Sequence, residues 1–285
     1  MKKPSWLRLD RYEQEKIEKV KNLLRSLNLH TVCEESMCPN IGKCFAKKSA
    51  TFLIMGDICT RNCRFCDIKH GKPKPVDPEE PDHIVEAVKV LKLKHVVITS
   101  VTRDDLKDGG ASYFALITEK LKAYDPKLII ELLIPDLKGV KRNIEIVVNA
   151  KPHIINHNVE VVPRLYKSIT PQSNYQRSLN VLKTVKELDP TIFTKSGLMV
   201  GLGEHKEEVI EVMKDLVHVN CDILTIGQYL KPPSSDLEIV EFIHPKVFEE
   251  YKQIAYSLGF KYVSSGPFVR SSYNAEEFSR KMHLI

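Results

Sequence analysis

Three cysteines spaced Cys59-x3-Cys63-x2-Cys66 carry the most pointed chemistry in this sequence. They directly follow TFLIMG (51–56), an apolar run that reads as a buried strand. Three thiolates on one loop can hold three irons of a [4Fe–4S] cube and leave the fourth iron without a protein ligand. A substrate or cofactor can coordinate there, as at a catalytic zinc that keeps one position open. Structural zinc wants four protein ligands. Here the fourth would have to come from Asp57, Asp67 or His70, so the triplet favours iron–sulfur over zinc. Phe65, the aromatic residue before the last cysteine, is a candidate cofactor contact.

A second triplet, Cys33-x4-Cys38-x5-Cys44, lies just upstream, and only Cys221 stands apart. The odd total of 7 argues against a disulfide framework. The N-terminus MKKPSWLRLDRYEQEK has basic residues but no apolar stretch behind them. It also carries Asp10, Glu13 and Glu15, with Glu18 just beyond, unlike an acid-poor transit peptide. No run approaches the roughly 18 apolar residues of a membrane span. The expectation is a cytoplasmic protein, where thiols stay reduced and clustered cysteines are metal ligands. The formal net charge of +6 is spread along the chain and falls short of a nucleic-acid-binding block.

The elements that must position these residues follow a repeating pattern. Strands are expected at 51–56, 95–100, 127–135, 153–159, 193–201 and 223–230. Helices are expected at 11–27, 79–91, 111–123, 139–149, 175–188, 205–219 and 245–258. Residues 28–50 show little periodicity. Near-continuous apolar strands alternating with helices imply a parallel sheet. Six βα units in 285 residues fit an open doubly wound sheet or a partial TIM-like barrel. Polar clusters at the ends of most strands (GDICT, TSVTRDD, IPD, NHNVE, VGLGE, GQYLKPP) favour the barrel, whose sites gather at the carboxyl ends of its strands. The fold expectation is therefore α/β, a partial (β/α)6 TIM-like barrel over 51–262, flanked by extensions 1–50 and 263–285. The tail is expected to fold back over one end of the barrel.

C-x3-C-x-F-C after a first strand resembles the radical S-adenosylmethionine (SAM) superfamily. With the second triplet, the chain closely resembles the lipoyl synthase family. The likeness continues through GDICTRNCRFCDI (56–68), VTRDDLKDGGA (101–111), IPDL (134–137), NHNVEVVPRLY (156–166), KSGLMVGLGE (195–204), TIGQYL (225–230) and GPFVRSSYNA (266–275). The chain departs from that pattern at Lys231 and Pro233, where the family commonly has Gln and Ser.

The resemblance implies two [4Fe–4S] clusters and SAM. Cys59, Cys63 and Cys66 would hold the SAM-binding cluster, whose electron cleaves SAM to a 5′-deoxyadenosyl radical. Cys33, Cys38 and Cys44, with a serine of the RSSY tail, would hold an auxiliary cluster that is the sulfur source. Ser272 is the implied serine, with Ser271 as runner-up. Cys221, at the amino end of its strand, is expected to be core. Gly109 and Gly110 would meet the methionine part of SAM, Asn158 and Glu160 the ribose hydroxyls, and the Gly197–Gly203 segment the adenine. Arg103, Asp104 and Asp105 are expected to pair and shape their loop. Of His153 and His157, one could line the pocket.

The implied reaction inserts two sulfur atoms at carbons 6 and 8 of a protein-bound octanoyl-lysine. Implied partners are octanoylated lipoyl carrier domains of 2-oxoacid dehydrogenase complexes and the glycine-cleavage carrier protein. A reductant such as flavodoxin or ferredoxin and an iron–sulfur carrier for cluster repair complete the set, with no nucleic acid and no membrane. Rival expectations are another sulfur-inserting radical SAM enzyme, such as a biotin synthase or an RNA methylthiotransferase, and a zinc-stabilised binding protein.

Overall fold

A computed structural model describes residues 2–8, 12, 14–47, 49–273 and 275–282. One eight-stranded sheet organises the chain. Its strands are β1 (His30–Thr31), β2 (Thr51–Ile54), β3 (His95–Ser100), β4 (Ile129–Leu133), β5 (Ile154–Asn156), β6 (Phe193–Val200), β7 (Ile223–Gln228) and β8 (Tyr262–Gly266). They lie in sequence order, so every crossover joins neighbours. Pairing is parallel from β2 to β8, and β1 runs antiparallel on the β2 edge.

Helices alternate with the strands and cover them. They are α1 (Gln14–Ser26), α2 (Val32–Glu35), α3 (Ile41–Ala46), α4 (Glu80–Leu91), α5 (Ala111–Tyr124), α6 (Lys141–Asn149), α7 (Tyr175–Leu188), α8 (Lys206–His218), α9 (Pro245–Leu258) and α10 (Ala275–Lys281). Each long helix turns one apolar stripe to the sheet. In α8, for example, Val209, Val212, Met213 and Leu216 are buried and recur at helical spacing. α9 starts on Pro245 behind the His244 cap and stops at Gly259, whose φ of 110° ends the helix in the left-handed region.

The sheet curls into a partial barrel. Ile129, Ile154, Ile223 and Tyr262, from four different strands, pack together around Phe278 of α10. Phe193 and Tyr262 meet the Phe278 ring edge-on at centroid distances of 5.3 and 5.5 Å. The C-terminal helix thus plugs the amino end of the barrel, leaving the carboxyl end for chemistry. β1 and β8 do not pair with each other among the described residues, so the barrel stays open on that side.

Above this plug the interior is ionic. Lys195 lies 2.8 Å from Glu131, and His95 lies 3.3 Å from it. Burial pushes Glu131 up, but Lys195 and His95 outweigh that and hold it ionised. Ser279 of α10 bonds the other His95 nitrogen at 2.8 Å, which fixes the plug to this network.

Two expectations are corrected. Residues 263–266, expected in the tail, form most of β8, a seventh parallel strand paired to β7 from Tyr262↔Ile223 to Gly266↔Gly227. Its sequence, YVSSG, has only two apolar residues, too short a run to announce a strand. Residues 28–50 are less irregular than expected. The Thr31 hydroxyl accepts from the Glu34 amide and starts α2, and α3 follows.

Candidate active site

The first cysteine loop leaves β2 through a tight turn, with Met55 at φ 65° and Gly56 at φ 92°. Both Met55 backbone groups are held from elsewhere. Its amide donates to Glu80 at 2.9 Å, and its carbonyl accepts from Arg103 at 3.1 Å. A two-strand ribbon, Ile58–Cys59 against Lys69–His70, closes the base of the loop.

Arg61, between the first two cysteines, is buried and clamps the loop to the next two strand ends. Its guanidinium reaches Asp104 at 2.7 Å and Asp136 at 2.6 Å. Burial alone would raise the Asp136 carboxyl, but Arg61 outweighs it and holds the group at about 2. Arg103 pairs with Asp105 at 2.8 Å, so the VTRDD residues shape the mouth as expected, with Arg61 the unforeseen partner of Asp104. From the far side, the segment after β7 straps the loop down. Asp236 pairs with Arg64 at 3.1 Å, and Ser235 donates to the Arg64 carbonyl at 2.5 Å.

Cys59, Cys63 and Cys66 then face a cavity of about 580 Å³ at the carboxyl ends of the strands. Cys59 Sγ accepts from the amides of Arg61 (3.4 Å) and Thr102 (3.3 Å). Burial pushes the Cys63 thiol up to about 12 and that of Cys66 to about 11. Such groups stay neutral unless a bound cation holds the charge, which is what metal ligation supplies. Among the described residues no three His, Cys, Asp or Glu converge on a single ion. Thiols that each take a different iron of a cube need not converge that tightly. The donor set and its spacing fit an iron–sulfur cluster.

The second triplet reaches the same cavity. Cys33 and Cys38 line it, with Ser271 and Ser272 of the tail. Cys44, on α3, is half-buried beside them and is not part of the lining. Burial pushes Cys33 up to about 12 and Cys44 to about 11. The tail is fastened to this segment at three points. Thr51 Oγ1 donates to Ser272 Oγ at 2.8 Å, Asn40 donates to the Phe268 carbonyl at 2.7 Å, and Lys43 bonds the Tyr273 hydroxyl. The Thr51 backbone also hydrogen-bonds Cys33. This one residue therefore grips a candidate ligand from each extension. Of the two serines, Ser272 is the one so held. Asn274 of the same motif lies outside the described residues.

Of the expected SAM contacts, Phe65, Asn158, Glu160 and Gly197 line the cavity. Glu160 sits at φ 62°, and burial raises its carboxyl to about 7 against the pull of Asn158. His157 lines the cavity too, whereas His153 does not. Nδ1 of His157 faces the Ile134 carbonyl at 2.9 Å, and Nε2 is buried with no protein partner. Asn158 Oδ1 is likewise unpartnered. These orphaned acceptors suit a ligand rich in donors, such as a ribose-bearing cofactor with an ammonium group. A side chain at Gly197 would sit 2.7 Å from Asn158 Oδ1, so the glycine keeps that acceptor in place.

The structure does not bring Gly109 and Gly110 to the cavity. Their φ values of 65° and 90° form the turn into α5, and a Cβ on Gly110 would meet Met55 at 2.5 Å. Cys221 is buried in the apolar layer among α8, α9 and β7, as expected of a small core residue. Thr51, Arg61 and Arg270 were not singled out from sequence. The available signal was a basic residue inside each of the ligand motifs, C-T-R-N-C and V-R-S-S-Y.

Comparison with known proteins agrees with this geometry. Residues 53–216 match the radical SAM superfamily. A lipoyl synthase of Caldicellulosiruptor saccharolyticus is 58% identical over 279 residues, covering 98% of this chain and 98% of the relative. Another from Caldanaerobacter subterraneus subsp. tengcongensis is 55% identical over 276 residues, covering 97% and 96%. Among solved structures, Streptococcus suis SuiB bound to precursor peptide SuiA aligns with a TM-score of 0.60 at 11% identity. It covers 92% of this chain and 55% of SuiB, a likeness of fold alone. The chain belongs to the radical SAM superfamily and, within it, to the lipoyl synthase family.

Proposed function

We propose that this chain inserts two sulfur atoms at carbons 6 and 8 of an octanoyl group carried on the lysine of a lipoyl carrier domain. One observation carries the reading: Cys59, Cys63 and Cys66, two cysteines of the second triplet (Cys33 and Cys38), and Arg270, Ser271 and Ser272 of the tail line one cavity. Cys59, Cys63 and Cys66 would hold the SAM-binding [4Fe–4S] cluster. Cys33, Cys38, Cys44 and Ser272 would hold the auxiliary one. When bound, the first cluster supplies the electron that cleaves SAM and the second supplies sulfur.

The protein's own work is binding, orientation and exclusion of water. Asn158, Glu160 and His157 offer acceptors to the donor groups of SAM, and Phe65 adds an aromatic wall. Val101, Leu133, Leu198, Met199 and Leu230 give the cavity apolar walls that suit an eight-carbon chain. The Arg61 clamp and the Asp236 strap hold the cysteine loop rigid while substrate enters. Segment 1–50 and the tail after β8 act together as the holder of the auxiliary cluster.

The carriers proposed are lipoyl domains of 2-oxoacid dehydrogenase complexes and the glycine-cleavage carrier protein. Electrons would come from a flavodoxin or ferredoxin, and an iron–sulfur carrier would rebuild the auxiliary cluster. A cytoplasmic site of action fits these partners. Among the described residues no helix is long and apolar enough to cross a membrane.

The test is anaerobic incubation with SAM, a strong reductant and an octanoyl-lysine peptide, read by mass spectrometry. The expected products are 5′-deoxyadenosine and a peptide that has gained two sulfurs. Deoxyadenosine without sulfur gain would keep the superfamily and reject the reaction. Purified anaerobically, the protein should be brown with about eight irons per chain, two cubes' worth. Colourless protein with stoichiometric zinc would reject the enzyme reading.

A further inference from the structure

Three deeply buried cations in this protein have carboxylate partners. Arg61 has Asp104 and Asp136, Arg103 has Asp105, and Lys195 has Glu131. Arg270, half-buried, differs. Its guanidinium lines the cavity, and its one hydrogen bond, at 2.6 Å, goes to the Val269 carbonyl. Among the described residues no carboxylate lies within ion-pair distance of it. A half-buried cation on a cavity wall with no carboxylate partner among the described residues is a natural place for an anionic ligand.

The placement is specific. The tail turn that carries Arg270 passes directly over Gly227 of β7. A Cβ there would overlap the Val269 carbonyl oxygen and come within 3.2 Å of Arg270 Nη1. Two residues further on is Ser272, held by Thr51 beside Cys33. Arg270 therefore lines the cavity together with Cys33, Cys38 and Ser272. A [4Fe–4S] core with three thiolates and a serine oxygen is net negative, and reduction makes it more so.

We propose that Arg270 is the counter-cation of the auxiliary cluster and raises its reduction potential. This rests on the ligand assignment made above. A fixed positive charge in a low-dielectric site favours the more negative, reduced form. It also holds an anionic cluster that contains a weakly bound oxygen ligand.

The test starts from the full-length C59A/C63A/C66A variant, which leaves only the auxiliary site. After anaerobic reconstitution it should carry about four irons per chain, and its midpoint potential is read by a redox titration followed by electron paramagnetic resonance. In that background Arg270→Gln should move the potential to more negative values, and Arg270→Lys should restore most of the shift. Loss of iron from Arg270→Gln, with retention in Arg270→Lys, would also support the proposal. Unchanged potentials in both would overturn it, as would loss of iron from both, since a cation at that place would then not suffice. An unchanged potential with weakened SAM binding in the otherwise native protein would reassign the guanidinium to the SAM carboxylate. A parent variant without any cluster would overturn the ligand assignment and this inference with it.

Discussion

The two cysteine triplets solve the same problem in opposite ways. Cys59, Cys63 and Cys66 lie within eight residues on one loop, and the barrel supplies the rigidity. Cys33 and Cys44 sit on two short helices outside the barrel, with Cys38 in the connection between them, and their fourth candidate partner, Ser272, comes from the other end of the chain. The first site is local and its frame is the core. The second closes only after the whole sheet has formed, because the tail emerges from β8, the last strand. A sacrificial sulfur source suits the second design, since a site closed by hydrogen bonds can be reopened.

The sharpest way to break this comparison is to delete one ligand from each site. Cys63→Ala should abolish 5′-deoxyadenosine formation while keeping about half of the iron. Cys38→Ala should keep deoxyadenosine formation and abolish sulfur gain. Chromatography of deoxyadenosine and mass spectrometry of the peptide read both arms. If the two variants lost the same step, the sites would not be separate.

Legibility follows the same division. The spacing C-x3-C-x2-C announces a cluster because the ligands are close in sequence, and the helices from 79 to 258 lie within about two residues of their periodicity. Thr51 and β8 were not legible. Thr51 is an ordinary strand residue until the tail arrives beside it. YVSSG becomes a strand only because β7 offers an unpaired edge. Gly109–Gly110 shows how a glycine pair signals backbone freedom: the structure has it in the turn into α5, packed against Met55.

The next prediction separates the sites through packing. Gly227→Ala places a methyl group against the Val269 carbonyl oxygen. Overpacking of this kind costs about 1–3 kcal/mol, and the tail turn is the part able to move away. The variant should keep the SAM-binding cluster and lose the auxiliary one, so iron should fall to about four per chain. Full iron and full sulfur insertion would show that the tail does not need this contact.

The Arg61 clamp should show the robustness of the local site as a pH dependence. Arg61 depresses Asp136 from 3.8 to about 2. A depressed carboxyl adds stability that is fully present above its unfolded value and is lost as pH falls through the folded one. Asp136→Asn should therefore lower stability by about 2 kcal/mol at neutral pH. The gap from wild type should shrink as pH drops from about 4 to about 2. Urea unfolding across that range measures it, and a gap independent of pH would mean the ion pair contributes nothing.

The smallest effect tests the joint between the extensions. Thr51→Val keeps the shape and the backbone bond to Cys33 but removes the hydroxyl that donates to Ser272. One hydrogen bond is worth about 1 kcal/mol, or about a fivefold change in a rate that depends on it. Sulfur insertion should slow by that factor while deoxyadenosine formation stays unchanged, and Thr51→Ser should restore it. Asn40 and Lys43 also hold the tail, so global unfolding should move little. A Thr51→Val variant that inserted sulfur at the native rate would show that backbone docking alone places Ser272. The hydroxyl would then have no part in the second site, and the contrast between a core-framed site and a hydrogen-bonded one would narrow to the path of the tail.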